Sequence, residues 1–262
     1  MELVGKVIVV TGGGNGIGAA MCRRFAAEEP RGIVVADLDA AAAAAVATAV
    51  GGLARRVDVA DPGDVTALIA AAEDAYGPVD LLCLNAGIAT GGSVEVSDEA
   101  WRRTWEVNVM AHVLGARAVL PSMLARGEGY LLHTVSAAGL LTNLGAAPYS
   151  VTKHAALALA EWLSVTYGDA GIRVSALCPQ FVRTSMLDSL TDVGEGFHEF
   201  AVATSKSPEE VAEAVVDGIR AERFLILPHP EVAEYFRNKA SDYERWLAGM
   251  RRLQHRLGAD PV

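Results

Sequence analysis

The chain has 262 residues, 52% of them apolar, and 32 acidic against 22 basic side chains give it a net charge of −10. That length and apolar content suit one sizeable α/β core. An acidic balance without a basic cluster argues against nucleic acid and anionic membrane surfaces as partners. No uninterrupted apolar run reaches the ~18 residues of a membrane span, and residues 1–6 lead straight into a strand pattern rather than a leader. The cysteines, Cys22, Cys83 and Cys178, have no paired spacing. The expectation is a cytoplasmic protein of one domain, residues 1–262.

Residues 6–10 are a β-branched run that reads as a buried strand. It opens into Thr11-Gly12-Gly13-Gly14-Asn15-Gly16-Ile17-Gly18, then a helical pattern through Met21, Cys22 and Phe25. Glycines at a strand-to-helix turn let a ligand approach the main chain. The helix N-terminus behind them offers free N–H groups and a positive dipole end to a phosphate. One frame (Gly14, Gly16, Ala19) fits the dinucleotide fingerprint, and another reads Gly12-x-x-x-Gly16-x-Gly18. A second strand, 33–37, ends on Asp37, 21 residues past Gly16, near the ~20 expected of an acid that accepts from an adenosine ribose. Leu38 and Asp39 follow it, with no Arg or Lys to meet a 2′-phosphate, and Asn15 is uncharged too, which favours NAD over NADP. Asp37 and Asp39 are both placed to cap the Ala-rich helix beyond.

Residues 55–59 are a third strand candidate closing on Asp58-Val59, and Asp61-Pro62 starts a helix with a cap and a proline at its first position. A fourth strand, 79–84, runs into Asn85-Ala86-Gly87. This alternation predicts a parallel sheet with helices on both faces, whose ligands sit beyond the strand carboxyl ends at the switch point. Trp101, Trp105, Val109 and Val113 form an apolar helical stripe, and Asn108 sits inside it against propensity. Residues 130–135 form a fifth strand that delivers Ser136, which in isolation is equally a turn residue.

Tyr149 and Lys153, four apart in a helical pattern, share a face. A phenol beside an ammonium is an acid/base pair, because a nearby cation favours the phenolate and pulls the tyrosine below its usual ~10. Alone, Tyr-x-x-x-Lys is a weak motif. A sixth strand, 173–177, leads into Cys178-Pro179-Gln180-Phe181-Val182-Arg183-Thr184, and residues 224–227 form the last. The six histidines show no metal-ligand spacing, so no metal site is expected.

In order and spacing, Thr11-Gly12-x-x-x-Gly16-x-Gly18, Asp58-Val59, Asn85-Ala86-Gly87, Asn108, Ser136, Tyr149-x-x-x-Lys153, Pro179 and Thr184 resemble the short-chain dehydrogenase/reductase family over residues 3–227. The Ser136-to-Tyr149 interval of 13 is the family's usual one. The resemblance implies a doubly wound Rossmann fold with a seven-stranded parallel sheet. It also implies hydride transfer between NAD and a secondary alcohol or its ketone. Tyr149 would be the acid/base, with Ser136 holding the substrate oxygen and Lys153 stabilising the phenolate and binding the nicotinamide ribose. Asn108 would perturb its helix and hold a water that contacts Lys153. The cofactor would lie along Gly12, Asn15, Gly16, Ile17, Gly18, Asp37, Leu38, Asp58, Val59 and Asn85-Ala86-Gly87, reaching Tyr149, Lys153, Pro179, Val182 and Thr184. The family usually has Gly where Gln180 stands, so Gln180 either lines the substrate or nicotinamide pocket or is simply tolerated.

Residues 185–206, with Gly194, Gly196, Phe197 and Phe200, lack periodicity and suit a substrate lid. Ser207-Pro208-Glu209-Glu210 announces a helix by a capping box. Beyond Pro228-His229-Pro230 the chain departs from the commonest family ending. Phe236, Tyr243, Met250 and Leu257 repeat every seven residues, which predicts one amphipathic helix over 231–257 that covers either its own site or a partner subunit. A homo-oligomer, dimer or tetramer, is expected. Two other functions compete: a non-catalytic NAD-binding sensor, which would not need Asn108, Ser136, Tyr149 and Lys153 together, and an NADPH-dependent ketoacyl or quinone reductase, which Asp37 and Asn15 disfavour.

Overall fold

The computed structural model describes residues 1–188 and 195–257. Strands β1 (Val7–Thr11), β2 (Gly32–Asp37), β3 (Leu53–Arg56), β4 (Leu81–Leu84), β5 (Gly129–Thr134), β6 (Ile172–Leu177) and β7 (Leu225–Ile226) form one parallel sheet in the order β3-β2-β1-β4-β5-β6-β7. The chain builds outward from β1 to β3, then returns to place β4 on the other side of β1. The switch point therefore lies between β1 and β4, as in a doubly wound fold. Alternate residues of each strand face opposite layers. Val7, Val9, Val34, Leu82 and Leu131 pack under one set of helices, and Ile8, Val10, Ile33, Val35 and Leu132 under the other.

Three helices cover the second layer: α1 (Gly16–Ala26), α2 (Ala40–Val50) and, late in the chain, the helix at Pro208–Arg220. The first layer is covered by α3 (Pro62–Tyr76), the long helix made of α4 (Asp98–Trp105), a π-turn (Glu106–Met110) and α5 (Ala111–Arg126), and, after the short α6 (Ala137–Leu140), by α7 (Ala147–Tyr167). Asp98–Arg126 is long and apolar enough to cross a membrane by length and composition. Its apolar side is used against the sheet instead, with Val107, Leu114, Val119 and Met123 buried. Then come α8 (Ser185–Asp188), α9 (Glu195–Ala203), α10 (Pro208–Arg220), α11 (Glu231–Ser241) and α12 (Tyr243–Leu257). The expected capping box of α10 is present: Glu210 N–H donates to Ser207 Oγ, and the Glu210 carboxylate accepts from Ser207 N–H.

Strand boundaries shift by one to three residues, and three differences from the sequence expectation have a visible cause. β3 stops at Arg56, so Asp58 and Val59 lie past the strand; pairing with β2 runs out at Asp37, and the chain turns into α3 through Asp61, whose carboxylate caps Asp64. β4 starts at Leu81 because the Asp80 carboxylate accepts from Val7 N–H at 2.8 Å, closing the start of β1. The single C-terminal helix is two helices. Asp242 leaves helical geometry (φ −152°, ψ 88°) and its carboxylate accepts from Arg245 N–H at 2.9 Å, starting α12 afresh. The heptad stripe is broken there, so Phe236 and Tyr243 face solvent. The expected lid is helical on both sides of 189–194. Gly194 lies outside the described residues.

Candidate active site

A cavity of about 1020 Å³ runs along the carboxyl edge of the sheet. Its first end is the glycine loop. Gly16 opens α1 at φ 52°, and a Cβ there would lie 3.0 Å from Thr184 Cγ2; a Cβ on Gly18 would lie 2.0 Å from the Gly12 carbonyl oxygen. Only glycine lets this loop close. Asn15 makes no side-chain cap and the first turn of α1 holds no acid, which leaves main-chain N–H groups open for an anion. Asp37 leans onto the loop: its Oδ2 accepts from Gly14 N–H at 2.9 Å and its Oδ1 from Asp39 N–H at 3.0 Å. Asp39, not Asp37, caps α2, accepting from Ala41 and Ala42. Asp37 also lines the cavity beside the exposed Leu38. An uncapped helix end with a carboxylate one strand away fits the pyrophosphate and ribose of a dinucleotide.

Farther along, Asp58, Val59, Asn85, Ala86 and Gly87 line the wall. The Asn85 amide is engaged by the protein itself: Nδ2 donates to the Thr11 and Gly12 carbonyls, and Oδ1 accepts from Thr134 Oγ1 at 3.1 Å. It braces β1, β4 and β5 together at the switch point. Arg103 reaches Asp58 at 3.4 Å and also lines the cavity, a contribution from α4 that spacing did not reveal.

At the middle of the cavity β5 delivers Ser136 and α7 delivers Tyr149 and Lys153. Ser136 Oγ accepts from Ala138 N–H at 3.1 Å and donates to the Pro179 carbonyl at 3.4 Å. Lys153 is buried; its Nζ donates to the Thr134 carbonyl at 3.0 Å and lies 5.5 Å from the centroid of the Tyr149 ring. Burial pulls the ammonium down to about 8. The phenol behaves differently from the sequence expectation. Burial pushes Tyr149 above its usual value, and the Ser136 hydrogen bond offsets only part of that rise. Desolvation is the largest cause here, and the nearby Cys178 adds to the rise.

Asn108 sits in the π-turn, completely buried. Its amide accepts from Ile88 N–H at 2.9 Å and donates to the Ile88 carbonyl at 2.9 Å and Thr152 Oγ1 at 3.1 Å. The helix is perturbed at this residue, as expected. The amide itself is occupied in bracing the chain after Gly87 against α7. Gly87 makes room for this: a Cβ there would stand 3.3 Å from Asn108 Oδ1 and 3.5 Å from Lys153 Nζ.

The cavity also has apolar walls, with Leu141, Leu144, Phe181, Met186, Trp246 and Met250 beside the polar Asn143, Asp242, Arg245 and Arg252. Pro179, Val182 and Thr184 line it from the β6 exit, and so does Gln180, whose N–H donates to Nδ1 of the buried His229 at 3.2 Å. The thiol of Cys178, at the strand end, is buried and pushed up to about 12, an inert group. Residues of α12 line this chain's own cavity, one of the two positions expected of the C-terminal helix. Sequence reasoning missed Thr134, Arg103 and His229. Each acts through a neighbour brought in from another element, so no local spacing announces it.

A family model described as short chain dehydrogenase matches residues 6–193. The chain is 38% identical over 257 residues to the 1-deoxy-11-beta-hydroxypentalenate dehydrogenase of Streptomyces exfoliatus, covering 94% of this chain and 90% of that one. It is 34% identical over 218 residues to the meso-2,3-butanediol dehydrogenase of Serratia marcescens, covering 81% and 86%. Among solved structures, a short chain dehydrogenase/reductase from Burkholderia phymatum in complex with NAD is similar at a TM-score of 0.85 and 32% identity, over 93% of this chain and 96% of that one. With the glycine loop, Ser136, Tyr149 and Lys153 meeting at one cavity, the chain belongs to the short-chain dehydrogenase/reductase family, nicotinamide-linked oxidoreductases of CH–OH groups.

Proposed function

We propose that the protein is an NAD-dependent dehydrogenase of a bulky, hydrophobic secondary alcohol. The observation that carries this reading is one continuous cavity, with Asp37 at its dinucleotide end and an apolar wall of Leu141, Leu144 and Trp246 beyond Tyr149. The named substrates of the two relatives, a butanediol and a hydroxypentalenate, both offer a secondary alcohol to such a site.

The bound nicotinamide supplies the hydride acceptor. The protein's own groups do the rest. Ser136 Oγ holds the substrate oxygen, and Tyr149 takes the hydroxyl proton as hydride leaves the carbinol carbon. Lys153 supplies positive charge to the Tyr149 phenolate and binds the nicotinamide ribose. Asn108 holds Ile88 and Thr152, and through them the turn of α7 that carries Lys153. The main chain of the glycine loop receives the pyrophosphate, and Asp37 accepts from the adenosine ribose. Its charge and the neighbouring Leu38 are the grounds for NAD rather than NADP.

A homo-oligomer is part of the same proposal. On α7, Val151, Trp162 and Val165 recur on one helical face and are exposed, Val165 by 86%. A second copy is the natural cover for such a stripe.

The test is a panel of secondary alcohols of increasing apolar bulk, followed by NADH absorbance with NAD and with NADP. The reading predicts turnover that improves with apolar size and needs NAD. Turnover confined to small polar alcohols, or to NADP, would contradict it.

A further inference from the structure

Lys239 belongs to none of the motifs above, yet it is only 7% exposed on α11, where residues 234–238 are open to solvent. No carboxylate pairs with it among the described residues. Its Nζ donates instead to two main-chain carbonyls, Leu140 at 2.8 Å and Leu141 at 2.9 Å. The same cation lies 4.9 Å from the Trp246 ring centroid and 5.7 Å from that of Tyr243.

The partners come from two separate pieces of chain, the end of α6 and the start of α12. Leu140 closes α6, the four-residue helix whose first cap is Ser136, so its carbonyl is one that a helix end leaves unpaired and electronegative. Leu141 begins the turn to Leu144, and both leucines line the cavity. Trp246, on α12, lines the same cavity. Burying an ammonium without a counter-charge is unfavourable, and an apolar side chain would fill the same space at less cost. What a cation adds is direction: two carbonyls on one side and ring faces within the ~6 Å of a cation–π contact on the other. Burial correspondingly pulls its pKa below the usual lysine value.

We propose that Lys239 is a positioning residue for substrate specificity. It ties the α12 wall at Trp246 to the turn that follows Ser136, and so sets the width of the apolar pocket next to the reacting oxygen. This rests on the assignment of Ser136 and Tyr149 to the reacting end. It adds to it a residue that touches neither substrate nor cofactor.

The test compares Lys239→Met and Lys239→Arg with the unmodified protein. The readouts are KM and kcat on the bulkiest and the smallest alcohol accepted, NAD affinity by calorimetry, and acrylamide quenching of Trp246 isolated by difference from Trp246→Phe. Lys239→Met should raise KM for the bulky alcohol on the order of 10-fold through loss of the carbonyl and ring contacts. KM for the small alcohol and NAD affinity should stay within about twofold, because neither depends on those contacts. Trp246 should become more accessible to quencher, and Lys239→Arg, which keeps the charge and donors, should restore most of each effect. Unchanged KM and quenching in Lys239→Met would overturn the proposal. So would loss of NAD affinity in parallel with substrate affinity, since the lysine would then support the fold at large. If Lys239→Met does not fold, Trp246→Leu replaces it and must raise KM for the bulky alcohol alone; an unaltered KM overturns the proposal. A protein that oxidises no alcohol at all would defeat the proposed function, while Trp246 quenching would still decide the role of Lys239.

Discussion

Lys153 Nζ donates to the Thr134 carbonyl, 3.0 Å away, from a position 5.5 Å from the centroid of the Tyr149 ring. The bond ties α7 to the end of β5, one residue before the backbone turns toward Ser136. It leaves the ammonium two further donors for the cavity. Replacing Lys153 by Met removes both the anchor and the charge. Turnover and NAD affinity should both fall, by kinetics and calorimetry, whereas Tyr149→Phe should spare the second. A Lys153→Met protein with normal NAD affinity would detach the lysine from the nicotinamide ribose.

The free protein's acid–base profile follows from the same burial. Tyr149 lies above its usual value and Lys153 is lowered to about 8. Oxidation needs the phenolate, so kcat/KM for an alcohol should rise with pH through the alkaline range, and the reverse reduction, which needs the phenol, should fall. Losing the ammonium above pH 8 weakens support for the phenolate, which flattens the upper end of the rise. A profile for oxidation that declines between pH 7 and 9 would contradict this assignment.

Asp37 holds Gly14 N–H while facing the cavity. A phosphate group brought against it meets a fixed negative charge, which at a few ångströms and intermediate dielectric is worth on the order of 10²-fold in affinity. Asp37→Ser with Leu38→Arg should shift the NAD-to-NADP affinity ratio toward NADP by a comparable factor. Calorimetry on the unmodified protein should give much weaker NADP binding; equal affinities would remove Asp37 from the selection.

His112 on α5 and His133 on β5 form a buried pair with their Nδ1 atoms 2.9 Å apart, and neither Nε2 has a hydrogen-bond partner among the described residues. Burial pushes His133 down to about 3 and, with His133 and Lys153 nearby, His112 well below its usual value. The unfolded chain binds these protons near the ordinary value of ~6.5, so below that pH it takes up more protons than the native state. Stability should therefore be full above about pH 6.5 and decline as pH falls toward 3, by about 1.4 kcal/mol per pH unit for each histidine. Replacing both by leucine should flatten the decline in urea midpoint between pH 7 and pH 5. An unchanged slope would mean that other groups govern acid unfolding.

Much of the site could be read from local pattern. The glycine loop, Asp37, Ser136 and the Tyr149–Lys153 pair each sit where a strand ends or a helical turn repeats, and those periodicities are properties of short segments. The rest depends on which segments become neighbours. Thr134 meets Lys153, Gln180 meets His229, and Lys239 meets Leu140 only because β5, β6 and the C-terminal helices converge on one edge. The rise in the Tyr149 pKa was hidden for the same reason, since spacing reports the cation but not the burial. The break at Asp242 had a local signal, an aspartate able to cap a helix inside a periodic run, and the heptad pattern overrode it.

In the proposed mechanism Tyr149 moves the proton while the dinucleotide is bound elsewhere along the cavity. Tyr149→Phe keeps the ring, the Lys153–Thr134 bond and the glycine loop, and removes only the hydroxyl. On the best alcohol in the panel, kcat should drop by about 10²–10⁴, with NAD affinity by calorimetry unchanged within about twofold. Turnover near that of the unmodified protein would show that the proton leaves by another route and would contradict the role of Tyr149.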